Sequence, residues 1–165
     1  MNRFEQRTVL VTGGSSGIGL AAAKAYAAEG ARVVITGRDT PALERARADI
    51  GAGTIALRND AGNVQEAQRL AAALKEQGLE LDAVFINAGV AKFAPLAGVG
   101  EALWDETFNA NVKGPYFQIQ ALAPLLRRGA AIVINGSINA RIGMPNSSVY
   151  AASKARSEEH TSELQ

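Results

Sequence analysis

Near the end of the chain, Tyr150-Ala-Ala-Ser-Lys154 sets a phenol and an ammonium four residues apart. On a helix that spacing stacks them on one face, a single turn apart. An ammonium beside a phenol stabilises the phenolate. Such a phenol is suited to give and take a proton near neutral pH. Ser137, just past an apolar run, adds a hydroxyl able to hydrogen-bond a carbonyl oxygen. A lone Tyr-xxx-Lys is most often a solvated helix face, so its meaning depends on the residues around it.

A second candidate lies at the other end of the chain, in Thr12-Gly13-Gly14-Ser15-Ser16-Gly17-Ile18-Gly19. It follows a short apolar run and leads into an alanine-rich helical pattern. Glycines let a backbone turn sharply and approach a pyrophosphate, and a helix N-terminus offers N–H groups and a positive dipole end. Placement between strand and helix favours dinucleotide binding over an ordinary turn. The spacing is G-xxx-G-x-G rather than the common G-x-G-xx-G. After the second apolar run comes Thr36-Gly37-Arg38-Asp39. An acidic residue there would bind the ribose 2′-OH of NAD, and an Arg would accept the 2′-phosphate of NADP. Arg38 favours NADP. Asp39 suits a helix start and keeps NAD open. Asp60 could accept a hydrogen bond from an adenine amino group. Asn87-Ala88-Gly89 stands where ligands bind in open α/β sheets, beyond strand carboxyl ends.

The elements that must position these groups alternate. Strands are expected at Thr8–Val11, Arg32–Thr36, Thr54–Arg58, Ala83–Asn87 and Ala131–Asn135. Helices are expected over Ser16–Glu29, with Gly30 as its stop, from a Thr40-Pro41 cap to about Ala48, and from a capping box at Asn63–Glu66 to about Gln77. Glu101 to about Arg127 reads as one long helical stretch, with a kink or break expected at Gly114-Pro115 and Pro124. The alternation predicts an α/β fold, a doubly wound parallel sheet of Rossmann type in three αβα layers.

Together these motifs resemble the short-chain dehydrogenase/reductase family over about residues 6–155. TGGSSGIG is similar to the family's T-G-x-x-x-G-x-G, Asn87-Ala88-Gly89 to the second half of N-N-A-G, and YAASK to Y-x-x-x-K. Asn111 matches the family's helix asparagine, and Ser137 precedes Tyr150 by thirteen positions, as the family's serine does its tyrosine. The resemblance implies a catalytic set of Asn111, Ser137, Tyr150 and Lys154. Tyr150 would exchange a proton with the carbonyl oxygen, and Ser137 would orient that oxygen. Lys154 would hold the nicotinamide ribose and favour the Tyr150 phenolate, and Asn111 would support a proton-passing water. The cofactor set it implies is Gly13, Ser15, Ser16, Gly17, Ile18, Gly19, Arg38, Asp60, Asn87, Ala88 and Gly89, joined by Tyr150 and Lys154. Ile86 and Ala61 depart from the family's usual Asn and Val.

Composition agrees with a globular protein: 47% hydrophobic, 20% charged, net charge +1. That balance gives no electrostatic reason to expect nucleic acid or an anionic membrane as partner. There are no cysteines and one histidine, which excludes thiolate chemistry and argues against a metal site. No signal peptide or membrane-length apolar run is evident, so a cytoplasmic protein is expected.

The tail reads differently. Residues 156–165, RSEEHTSELQ, can be encoded as AGA TCG GAA GAG CAC ACG TCT GAA CTC CAG, the read-through of a common DNA-sequencing adapter. The expectation is an incomplete domain over residues 1–155, clipped after the fifth strand and the start of the next helix, and an artefactual tail over 156–165. The parent is then expected to be an NADP(H)-dependent carbonyl reductase or alcohol dehydrogenase, homo-oligomeric as the family implies, with NAD as the alternative cofactor. The fragment itself is expected to turn over little or nothing. The competing reading is a non-catalytic dinucleotide-binding module. Val90–Phe93 and Asn139–Met144 are expected to line part of the substrate pocket.

Overall fold

The computed structural model describes residues 2–159, with side chains described to residue 156. His160 and the rest of the tail lie outside the described residues. Strands β1 (Thr8–Thr12), β2 (Arg32–Gly37), β3 (Ile55–Arg58), β4 (Leu81–Ile86) and β5 (Leu126–Ile134) alternate with helices α1 (Gly17–Ala28), α2 (Thr40–Ile50) and α3 (Val64–Glu76). Between β4 and β5 come α4 (Glu101–Phe108), a π-helical turn (Asn109–Lys113) and α5 (Gly114–Leu122), and α6 (Ser148–Glu159) follows β5.

All strand pairs are parallel, and the order across the sheet is β3-β2-β1-β4-β5. Buried on both faces, β1 reads as a continuous apolar run. Val9, Val11, Val33 and Ile35 pack with Ala23 of α1 and Leu43 and Ala46 of α2. Leu10, Val34, Val84 and Ile86 point to the other face and pack with Leu70 and Leu74 of α3 and Leu122 of α5. Two cores on opposite faces of one sheet make the doubly wound, three-layer Rossmann-type fold. Among the described residues, no helix is long and apolar enough to cross a membrane.

Several expected boundaries move. Asp39, not Thr40, caps α2, its carboxylate accepting from Ala42 N at 3.1 Å. The capping box at α3 is half formed. Asn63 accepts from Gln65 N and Glu66 N, but Glu66 accepts instead from Asp60 N and Arg58, and Asn63 N donates to the Asp60 carbonyl. The long helical stretch ends in a 3-10 turn at Leu125, and Arg127 already belongs to β5. The expected break at Gly114-Pro115 takes the form of a π turn. Pro115 has no N–H to give the Asn111 carbonyl, and its ring would crowd that oxygen. The turn widens instead, with Gly114 N donating to the Asn109 carbonyl five residues back.

Candidate functional site

The strand order reverses between β1 and β4, so the loops leaving their carboxyl ends diverge and open a crevice. A cleft of about 380 Å³ occupies this position. On one side it is walled by Gly13, Ser15, Ser16, Gly17 and Ile18, on another by Arg38 and Asp60, and on the third by Asn87, Ala88 and Gly89. Ten of the residues expected to bind a cofactor thus meet around one space. Gly19 does not line it. It lies beneath, where α1 crosses the loop so closely that a Cβ would stand 2.2 Å from the Gly13 carbonyl oxygen.

Three strands are tied at the cleft floor by side chains. The Thr12 hydroxyl accepts from Asn87 N and Ala88 N, both at 3.0 Å. Asn87 returns Nδ2–H to the carbonyls of Thr12 and Gly13, and its Oδ1 accepts from Asn135 Nδ2 at 3.0 Å. The Asn87 side chain therefore holds the glycine loop against β4 and β5. The Asp60 loop is pinned in the same manner. Glu66 takes Asp60 N at 2.6 Å, and Asp60 Oδ1 accepts from Gly62 N at 3.0 Å. The Asp60 amide bond, aided by Arg58, holds the Glu66 carboxyl below its ordinary value against the opposing effect of burial.

α1 begins differently from its neighbours. α2 and α3 carry side-chain caps, but Ser16 makes no cap hydrogen bond and the first turn of α1 has no acidic residue. Its N–H groups face the cleft without a carboxylate competing for them. This end of the cleft fits the phosphates of a dinucleotide. Arg38, exposed at the end of β2, adds a cation, and Asp39 beside it is committed to capping α2.

Beyond Gly89 stands the second cluster. Asn111 is buried in the π turn. Its Oδ1 accepts from Val90 N at 2.8 Å, and its Nδ2 donates to the Val90 carbonyl and to Ser153 Oγ, each at 2.9 Å. Ser153 Oγ also donates to the Tyr150 carbonyl at 2.7 Å. These bonds lock the π turn, the loop after β4 and α6 into one unit. On the same helix Lys154 is buried, and its Nζ donates to the Asn135 carbonyl at 2.8 Å. Desolvation pushes the Lys154 ammonium below its ordinary value. Lys154 Nζ lies near Gly89, 3.7 Å from where a Cβ on that residue would be. The Tyr150 ring meets Phe93 edge to face, with centroids 5.7 Å apart. Ser137 Oγ accepts from Asn139 N at 3.2 Å, at the start of a short 3-10 turn.

Asn111 and Lys154 thus stand beside Gly89, a wall residue of the cleft, and Tyr150 lies one turn before Lys154 on α6; neither these three nor Ser137 line the cleft itself. Reading the sequence gave no site role to Thr12, Glu66, Asn135 or Ser153. Thr12 opens the glycine motif and Asn135 ends the fifth expected strand, which was the available signal, but Ser153 stands at an unspecified position of Tyr-xxx-Lys.

Comparison with known proteins identifies the fold and the family. The short chain dehydrogenase family profile matches residues 7–165. An oxidoreductase of Sarocladium schorii is 38% identical over 157 residues, covering 94% of this chain and 63% of that relative. The chain therefore spans under two thirds of that protein's length. The structure of a short chain dehydrogenase from Burkholderia cenocepacia in complex with NADP superposes with a TM-score of 0.92 at 35% identity, covering 98% of this chain and 68% of that one. A short chain dehydrogenase/reductase from Burkholderia phymatum in complex with NAD gives a TM-score of 0.90 at 31% identity, over 99% and 60% of the two chains. On the profile match and these likenesses together, the chain belongs to the short chain dehydrogenase family.

Proposed function

We propose that the protein is an NADP(H)-dependent oxidoreductase acting between a carbonyl and a secondary alcohol, with Tyr150 as general acid and base. When bound, the nicotinamide supplies or takes up the hydride. Gly13 to Ile18 and the N-terminus of α1 hold the pyrophosphate, and Arg38 holds the 2′-phosphate. The Tyr150 phenol hands its proton to the carbonyl oxygen in reduction and recovers it in oxidation. Lys154 supports this by lying buried next to Gly89, where its charge favours the phenolate. Ser137 offers its hydroxyl to the same oxygen. The observation that carries the reading is the pair of bonds from Asn111 to Ser153 and from Lys154 to the Asn135 carbonyl, which fixes α6 beside a cleft whose glycine loop suits phosphates.

The choice of NADP rests on Arg38, for which no ion pair is seen among the described residues, and on the capping role of Asp39. Titration with NADPH and NADH, followed by dinucleotide fluorescence, tests it. NADPH is expected to bind more tightly. Arg38→Ala should weaken NADPH by roughly 10- to 100-fold, the worth of a charge-assisted hydrogen bond, and leave NADH nearly unchanged. Tighter NADH would refute the NADP assignment, and an Arg38→Ala variant that still prefers NADPH would refute Arg38 as its source. In a chain extended to the length of its relatives, Tyr150→Phe should abolish ketone turnover while NADPH still binds, whereas the 165-residue chain alone is expected to turn over little or nothing. Tight NADPH binding by the extended chain with no Tyr150-dependent turnover of any ketone would favour a binding module.

A further inference from the structure

We propose that the substrate is an apolar ketone, aryl or alkyl, or the matching secondary alcohol, seated on an apolar surface built from two loops beside Tyr150. The inference rests on Tyr150 being the acid and base of the site. One loop follows β4 and carries Phe93, whose ring touches Tyr150. The other runs from Ser137 to α6 and carries Ile138, Ile142 and Met144. The loops are joined where Ala94 N donates to the Asn146 carbonyl at 2.9 Å.

The three apolar residues of the second loop are held by their backbones. Ile142 N donates to the Ile138 carbonyl at 3.0 Å, which folds both isoleucines onto one turn directly after Ser137. The Met144 carbonyl accepts from Ser147 N and from Ser147 Oγ, the latter at 2.6 Å. Yet the four side chains are 44% to 70% exposed. Exposed apolar groups on two loops that are hydrogen-bonded to each other, one of them in contact with Tyr150, suit an apolar ligand.

The polar groups of the two loops offer little to a polyhydroxylated substrate. Lys92 is paired with Glu106. Asn139 spends its backbone N–H on Ser137 Oγ, and its Nδ2 lies 4.0 Å from Met144 Sδ. A sugar or polyol needs side chains that hydrogen-bond several hydroxyls, and a site built of Phe, Ile and Met would leave those hydroxyls desolvated and unpaired. A 2-oxo acid would need a cation, and Arg141 is the residue such a substrate would use.

The test is binding to the chain saturated with NADPH, read by saturation-transfer NMR and calorimetry. The probes are 1-acetonaphthone, D-fructose and 2-oxobutyrate. Acetonaphthone is expected to bind at least about 10-fold more tightly than the others. Phe93→Ala should weaken it by about 5- to 10-fold, the size of one lost aromatic contact. Ile142→Ser, an exposed position, should weaken it without touching the Tyr150 ring. Tighter binding of fructose or of 2-oxobutyrate, the latter lost in Arg141→Ala, would overturn the proposal. So would acetonaphthone binding indifferent to both apolar substitutions, or a dimer that Ile142→Ser dissociates. Failure of the dinucleotide reading is separate, because it appears as the absence of NADPH binding before any probe is added.

Discussion

At the scale of single residues, Lys154 is the most constrained group in the site. It is buried, and the Asn135 carbonyl takes one of its N–H bonds, so its charge is held at a cost. Burial lowers its folded-state value below that of the unfolded chain. Below the folded value both states carry the proton, and the cost of burying the charge is fully present. Between the folded value and the unfolded one, near ~10.4, the unfolded state binds more protons, so stability rises with pH. Lys154→Met keeps the stem and removes the titration. The urea midpoint of the parent chain, relative to Lys154→Met, should therefore improve as pH is raised from about 8 to about 10. A difference that stays flat over that interval would mean that Lys154 is solvated in the folded chain.

At the scale of elements, the turn between α4 and α5 does what the sequence only hinted at. Pro115 and Gly114 announce an interruption, but not that it becomes a π turn presenting Asn111 to Val90 and Ser153. Gly114 is needed there, because a Cβ would stand 2.0 Å from the Ala61 carbonyl oxygen, a backbone atom that cannot swing away. Ala61 also lines the cleft. Gly114→Ala should cost about 3 kcal/mol in urea unfolding, by overpacking, and weaken NADPH as well. A change within about 0.5 kcal/mol, the range of an uninvolved surface position, would show that the loop gives way freely. The alternating strands and the Gly13–Gly19 loop were legible because local pattern and turn chemistry determine them. The start of β5 was not, since Leu125-Leu126-Arg127-Arg128 continues a helical pattern. Only pairing of Leu126 with distant Leu81 draws it into the sheet. Glu66 misled for a related reason. Its spacing from Asn63 fits a capping box, but Asp60 N and Arg58 compete for the same carboxylate and win. Asn111 and Ser153 meet across 42 positions, a contact no local reading can reach.

At the scale of the whole molecule, the sheet is covered unevenly. α3 and α5 cover the face to which Ile132 and Ile134 turn. The opposite face is covered by α1 and α2 over β1 and β2, whereas at β5 Ala131 is exposed and Val133 is 48% exposed. Among the described residues β5 pairs with β4 alone, so its outer edge carries hydrogen-bonding groups that meet no strand. An apolar edge strand of this kind is a template for pairing with another copy. Light scattering at rising concentration should therefore show self-association of the 165-residue chain. Val133→Lys places a charge on the exposed face without touching either core, and an exposed substitution changes stability by no more than about 0.5 kcal/mol. Scattering should fall while the thermal midpoint holds. Should the midpoint hold and scattering persist, association would have to run through another surface. The stacked Trp104 and Phe108 of α4, centroids 4.4 Å apart, would then be the next to substitute, because Trp104 is exposed.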